Sequence, residues 1–227
     1  MAPAKPLFLY EELMLLALRN KTGTVATGYV EYAIAAAVLA ELLLERRISI
    51  DESRKHLVDL CDARPIGDPI IDECLEKMEA ARRRGSLKTW VSRIARIAKL
   101  RHKAARRLCD RGILRADHDT ILFVFTRRIY PELNPEPEKK IIGRLREAIF
   151  TDVEKLDPRT VVLVSLANAV GLLGANFDRR ELKTRKKRIA QITNGELTGK
   201  AAKELIDAVQ AAVVTAAMMP MIMNTIN

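Results

Sequence analysis

Thirteen lysines and arginines lie between Arg82 and Arg115 against a single acid, Asp110, and the +12 of that segment exceeds the +10 of the whole 227-residue chain. A second run, Arg179, Arg180, Lys183, Arg185, Lys186, Lys187 and Arg188, has only Glu181 within its span. Such clusters attract polyanions, whether nucleic-acid phosphates or anionic lipid headgroups, with about 1 kcal/mol per Lys or Arg at an anionic membrane surface. The same pattern also describes a solvated helix face. Read as one helix, Arg96 to Arg111 carries Ile97, Leu100, Ala104 and Leu108 on one stripe and Arg96, Lys99, Lys103 and Arg106 on the far side. Arg101 belongs to neither stripe. Beside the apolar stripe, its guanidinium has donors set in a fork that suits a phosphate, and a structural salt bridge is the alternative.

Other chemistry finds little footing. His56, His102 and His118 are isolated, and Cys61, Cys74 and Cys109 lie far apart, so no metal site is expected. The three cysteines read as buried free thiols of a reducing compartment. Neither a glycine-rich phosphate loop nor a Gly-x-Ser-x-Gly elbow occurs, and Asp72-Glu73 reads as helix N-terminal charge. The expectation is a protein without cofactors that is not an enzyme.

Around these charges the sequence is 48% apolar and 4% aromatic, with Ala, Leu, Ile, Arg and Glu at helical spacing, so the fold is expected to be mainly α. No Pro/Gly/Ser-rich stretch divides it, and residues 1–227 read as a single helical-bundle domain. Leu7 to Leu18 and Ala33 to Leu44 are apolar on nearly every side and belong inside. Ile48-Ser49-Ile50 and Leu57 to Leu60 suggest a small hairpin, and Pro65 to Pro69 a turn before an amphipathic helix from Ile70 to about Ala81. Trp90, among Leu87, Val91 and Ile94, reads as core. A proline-rich loop from Pro135 to Pro137 precedes a helix around Ile141 to Phe150. Asp157-Pro158 starts another, continued by Val161 to Leu173, and a closing helix spans about Gly199 to Ala217. The apolar runs Ala33 to Ala40 and Ala211 to Met223 fall short of the roughly 20 residues that cross a bilayer, and the opening residues lack a signal-like pattern.

A hairpin is expected directly after the basic helix. Gly112-Ile113-Leu114 opens one strand, Asp117-His118-Asp119-Thr120 makes the turn, and Ile121 to Phe125 returns as the second strand. Alternation puts Ile121, Phe123 and Phe125 on one face and Leu122 and Val124 on the other, so both faces are apolar and one needs a partner. Leu122, Phe123 and Val124 are therefore the candidate contacts to a membrane or a second copy.

Six stretches follow one another along the chain: Leu9-Tyr10-Glu11-Glu12-Leu13-Met14-Leu15-Leu16, Glu41 to Ile50, Pro65-Ile66-Gly67-Asp68, Arg107 to Leu114, Leu156-Asp157-Pro158-Arg159 and Lys187-Arg188-Ile189. In their order and spacing they resemble the Golgi phosphoprotein 3 family. The resemblance spans Leu7 to about Ala217. It implies a helical domain with a protruding β-hairpin that binds phosphatidylinositol 4-phosphate at membranes, and in eukaryotic members an adaptor that holds glycosyltransferases in the Golgi by their cytosolic tails. The family's headgroup pocket, one aromatic and three arginines, falls near Ala26 and on Ala35, Ala98 and Arg101, so only Arg101 keeps the family's residue. Tyr29 is a substitute for the aromatic if the register shifts. Lacking the family's basic N-terminal extension, the chain reads as a prokaryotic-type member.

The resulting expectation is a cytoplasmic, peripherally membrane-associated protein whose partner is an anionic lipid, with Arg96, Lys99, Arg101, Lys103 and Arg106 at the headgroups. Membrane-enzyme tails as clients and homo-oligomers through the hairpin are further expectations. Two alternatives remain open: a winged-helix-like nucleic-acid binder, disfavoured by Asp117 and Asp119 at the would-be wing, and an oligomeric scaffold built on the hairpin.

Overall fold

The computed structural model describes residues 6–19, 24–25, 30–51, 57–121 and 125–198. Within them the chain is mainly α. The helices are α1 (Leu9–Ala17), α2 (Val30–Leu44), α3 (Pro69–Glu79), α4 (Leu87–Ala95), α5 (Leu100–Asp110), α6 (Glu136–Phe150), α7 (Pro158–Ala169), α8 (Leu173–Asn176), α9 (Arg179–Thr184) and α10 (Lys186–Thr193). Three two-stranded antiparallel ladders interrupt them: β1 (Leu18–Arg19) with β2 (Thr24–Val25), β3 (Ile48–Ile50) with β4 (Val58–Leu60), and β5 (Asp117–Ile121) with β6 (Phe125–Ile129).

Helices α1, α2 and α7 are apolar all round and pack on one another, so they form the interior. Every residue of α1 is buried, including Glu11 and Glu12. The amphipathic helices surround them: α4 lies on α2, α5 on α1 and α2, and α6 and α10 on α7. Trp90 is 3% exposed and belongs to this core, with the Arg93 guanidinium 4.8 Å above its ring. No helix among the described residues is long and apolar enough to cross a membrane.

Two acids in the middle of α1 and a third at the start of α3 would be ruinous inside such a core without partners. Each has one. Arg111 Nη1 donates to Glu11 Oε2 at 2.6 Å, and the Phe8 amide donates to the same oxygen at 2.9 Å, closing the helix N-terminus. Arg144 of α6 donates to Glu12 Oε2 at 2.7 Å. Asp68 caps α3 by accepting from the Ile70 and Ile71 amides, while its Oδ2 accepts from Tyr10 OH at 2.7 Å and Arg107 Nε at 3.1 Å. Glu41 of α2 binds Arg159 of α7 through both oxygens, at 2.6 and 2.9 Å, and also accepts from the Leu9 amide. Arg159 completes the join by donating to Leu7 O at 2.6 Å. The start of α1 is thus pinned to α2, α3, α5, α6 and α7.

Several expected elements end elsewhere. Arg96 to Arg111 is not one helix: Lys99 takes a left-handed conformation, φ 57°, which breaks the ladder and lets α4 pack on α2 while α5 turns onto α1 and α3. The residues expected to turn, Asp117 to Thr120, are strand, and the ladder runs from Asp117↔Ile129 to Ile121↔Phe125. This register sets Asp119 opposite Arg127 and His118 opposite Arg128, a pairing that the apolar alternation did not reveal. Strand β6 therefore runs four residues past Phe125, to Ile129. Leu122, Phe123 and Val124 lie outside the described residues, as do Gly199 to Ala217. Helix α6 starts at Glu136 because Pro137 sits in the first turn, where no amide hydrogen is needed. Helix α7 stops at Ala169, followed by Gly171 at φ 76°. Of the cysteines, Cys74 is buried as expected, but Cys61 is exposed just beyond edge strand β4 and Cys109 is half-buried.

Breaking a buried pair leaves an uncompensated charge, so Arg159→Ala is expected to lower stability by about 3–5 kcal/mol in urea unfolding. Glu11 gives a pH signature. Burial pushes its carboxyl above the ordinary value against the opposing pull of the Phe8 amide and Arg111, and Oε1 has no partner among the described residues. A carboxyl whose folded pKa is raised holds its proton more tightly when folded, so stability declines as pH climbs through the raised value. The stability of the wild type relative to Glu11→Gln should therefore shrink as the pH rises above the ordinary glutamate value of about 4, read by urea unfolding at each pH.

Candidate anion-binding face

Helix α5 sorts its cations by face. Leu100, Ala104, Ala105 and Leu108 are buried against α1 and α2, and Arg107 sits on the flank that reaches Asp68. Arg111, the residue after the helix, reaches Glu11. These two arginines are structural. Arg101, Lys103 and Arg106 are exposed, and Arg96 and Lys99, both exposed, occupy the α4–α5 break rather than a continuous stripe. Lys103 Nζ is engaged by Glu73 of α3 at 2.5 Å, so one of the expected headgroup contacts already has an acidic partner.

Arg101 lies between two groups. Its Nε is 3.6 Å from Glu31 Oε1, at the start of α2, and 3.5 Å from His102 Nε2, and its side chain remains 47% exposed. His102 Nδ1 is 2.9 Å from Tyr130 OH, and the two rings are 5.8 Å apart. Tyr130 follows β6 and is buried. The charges of Lys99, Arg101, Arg128 and Glu31 act on the imidazole, and those of Arg106 and Arg128 on the phenol. Burial and then the Arg101 and Arg128 charges hold His102 below the usual imidazole range. Burial likewise pushes the Tyr130 phenol up.

The cationic flank and the hairpin base are consequently one surface. The base is fastened by the Leu114↔Glu132 bridge and by Arg115 N donating to Pro131 O at 2.9 Å, with Ile113 and Leu114 buried beneath. His102 and Tyr130 are 28 positions apart, and nothing in the sequence linked them; the one available signal was the aromatic and Arg128 at the end of the hairpin, close to a histidine on the preceding helix. Of the pocket positions implied by resemblance, Ala35 is fully buried in α2, Ala98 is exposed in the α4–α5 break, and Ala26 and Tyr29 lie outside the described residues. Among the described residues no cluster of three His, Cys, Asp or Glu side chains is arranged for a metal ion.

The second basic run is divided too. Arg188 is buried and donates to Ala148 O and Val153 O, and Arg185 binds Asp152 and Phe150 O. Arg179, Arg180, Lys183, Lys186 and Lys187 remain exposed.

A protein-family model, GPP34 (Golgi phosphoprotein 3), matches residues 9–209. The chain belongs to this family. No curated protein matched it. Five of the six stretches that resemble the GPP34 family in sequence meet at the start of α1: Tyr10 and Arg107 meet Asp68, Glu11 meets Arg111, and Glu41 meets Arg159, whereas Glu12 is held by Arg144 from outside them. If the surrounding cations hold His102 low, Arg128→Gln should raise its titration midpoint, measured by NMR of the imidazole protons.

Proposed function

We propose that this GPP34-family protein docks on the cytoplasmic surface of a membrane by binding anionic lipid headgroups, and that it acts by docking rather than by catalysis. The observation that carries this reading is the hydrogen bond at 2.9 Å between His102 and Tyr130, which joins the exposed cations of the α4–α5 segment to the base of the β5–β6 hairpin. A flat lipid surface can then meet Arg96, Lys99, Arg101, Arg106 and Arg128 together, with Leu122, Phe123 and Val124 between the paired strands as candidates for the acyl boundary. The headgroup is phosphatidylinositol 4-phosphate or, with Ala35 and Ala98 in place of the family's arginines, a bulk anionic lipid. In this reading the docked protein serves as an adaptor for the tails of membrane enzymes.

Each cation near an anionic surface contributes about 1 kcal/mol. The double variant Arg96→Gln, Arg106→Gln should therefore bind vesicles of phosphatidylcholine with phosphatidylglycerol roughly 30-fold more weakly than the wild type, read by co-sedimentation. Binding to pure phosphatidylcholine vesicles as strong as to the anionic ones would refute the reading.

A further inference from the structure

We infer that His102, held in place by Tyr130, completes an anion site with Arg101, and that His102 takes up a proton when a phosphate group binds there, tying membrane docking to pH. The inference rests on the membrane-docking reading for its lipid source, but the phosphate chemistry is the same for a soluble phosphate.

The ring's two nitrogens define its resting state. A guanidinium can only donate, so Arg101 Nε, 3.5 Å away, faces a lone pair on His102 Nε2. The proton of the neutral imidazole is then on Nδ1, which donates to the Tyr130 oxygen at 2.9 Å. The phenol thus holds the ring in place, and its Nε2 edge stays beside Arg101.

The charged groups facing the ring are Lys99 and Arg101 from its own segment, Arg128 from β6 and Glu31 from α2; Arg106 and Cys109 face the phenol. Three cations against one carboxylate disfavour an imidazolium in the free protein. A phosphate oxygen set between Arg101 and Nε2 reverses this balance. It offsets the neighbouring cations and offers Nε2–H an acceptor, so a proton from water settles on Nε2. Arg101, no longer facing a lone pair, donates to the same phosphate. The bound state then has two donors at the anion, Arg101 and His102, where the free state has one cation beside a neutral ring. Neither depends on the positions occupied by Ala35 and Ala98.

The test uses vesicles of phosphatidylcholine with phosphatidylglycerol, whose phosphodiester does not titrate near neutrality. Wild-type protein should bind roughly tenfold more tightly at about pH 5.5 than at about pH 7.5, on either side of the ordinary imidazole value. His102→Gln should lose that ratio, and His118→Gln should keep it. In parallel, NMR of the full-length wild type should show the His102 midpoint rising when glycerol phosphate is added. Equal ratios in the wild type and His102→Gln would overturn the inference while leaving docking intact. Absence of vesicle binding at both pH values would overturn the membrane reading instead. In that case a raised His102 midpoint supports a site for soluble phosphate, and an unmoved one overturns the inference as well.

Discussion

The start of α1 is a place where charge has been taken out of water. Glu11, Glu12, Glu41 and Asp68 are all buried, and arginines from α5, α6 and α7, with Arg111 just after α5, meet them over separations of up to 132 positions in sequence. Replacing such pairs by apolar side chains is often neutral or even stabilising, so their value to this fold is better sought in geometry. A carboxylate gripped by a bidentate guanidinium and a backbone amide admits one register, whereas an apolar helix such as α1 would slide or rotate among equally greasy neighbours. The rest of the molecule depends on this constraint because α5, which presents the cationic face, is aligned by Arg107 on its inner flank and by Arg111 just beyond its end.

This accounting separates cations that hold the protein together from those left to meet something else. Arg107, Arg111, Arg144, Arg159, Arg185 and Arg188 are tied to carboxylates or carbonyls of the same chain. Lys103 is held by Glu73. Net charge therefore overstates the adhesive surface. What remains exposed is a smaller group: Arg96 and Lys99 at the bend that a left-handed Lys99 makes, Arg101 and Arg106 on α5, and Arg128 on β6.

The hairpin shows where pattern reading failed. Apolar residues from Ile121 to Phe125 looked like a strand, and the acids before them like a turn. The ladder instead pairs Asp119 with Arg127 and ends at Ile121 opposite Phe125. The Leu114↔Glu132 bridge closes the base beside that ladder, and a partner this far away in sequence does not show in a local apolar pattern. The α4–α5 break was hidden for a related reason: Ile94, Ile97 and Leu100 keep helical spacing through it, and all three are buried.

By itself the amino-acid sequence determined that the chain is mainly helical, that α1, α2 and the start of α7 lie inside, that β3 pairs with β4, and that it resembles the Golgi phosphoprotein 3 family. Those features follow from periodicity, capping residues such as Asp157 before Pro158, and short ordered motifs, all of which act within a few residues. Only the tertiary structure decided which arginines are structural and which are exposed, and that His102 and Tyr130 share a hydrogen bond. A side chain's partner is set by where distant elements pack, and a guanidinium beside a buried carboxylate reads the same in sequence as one facing water.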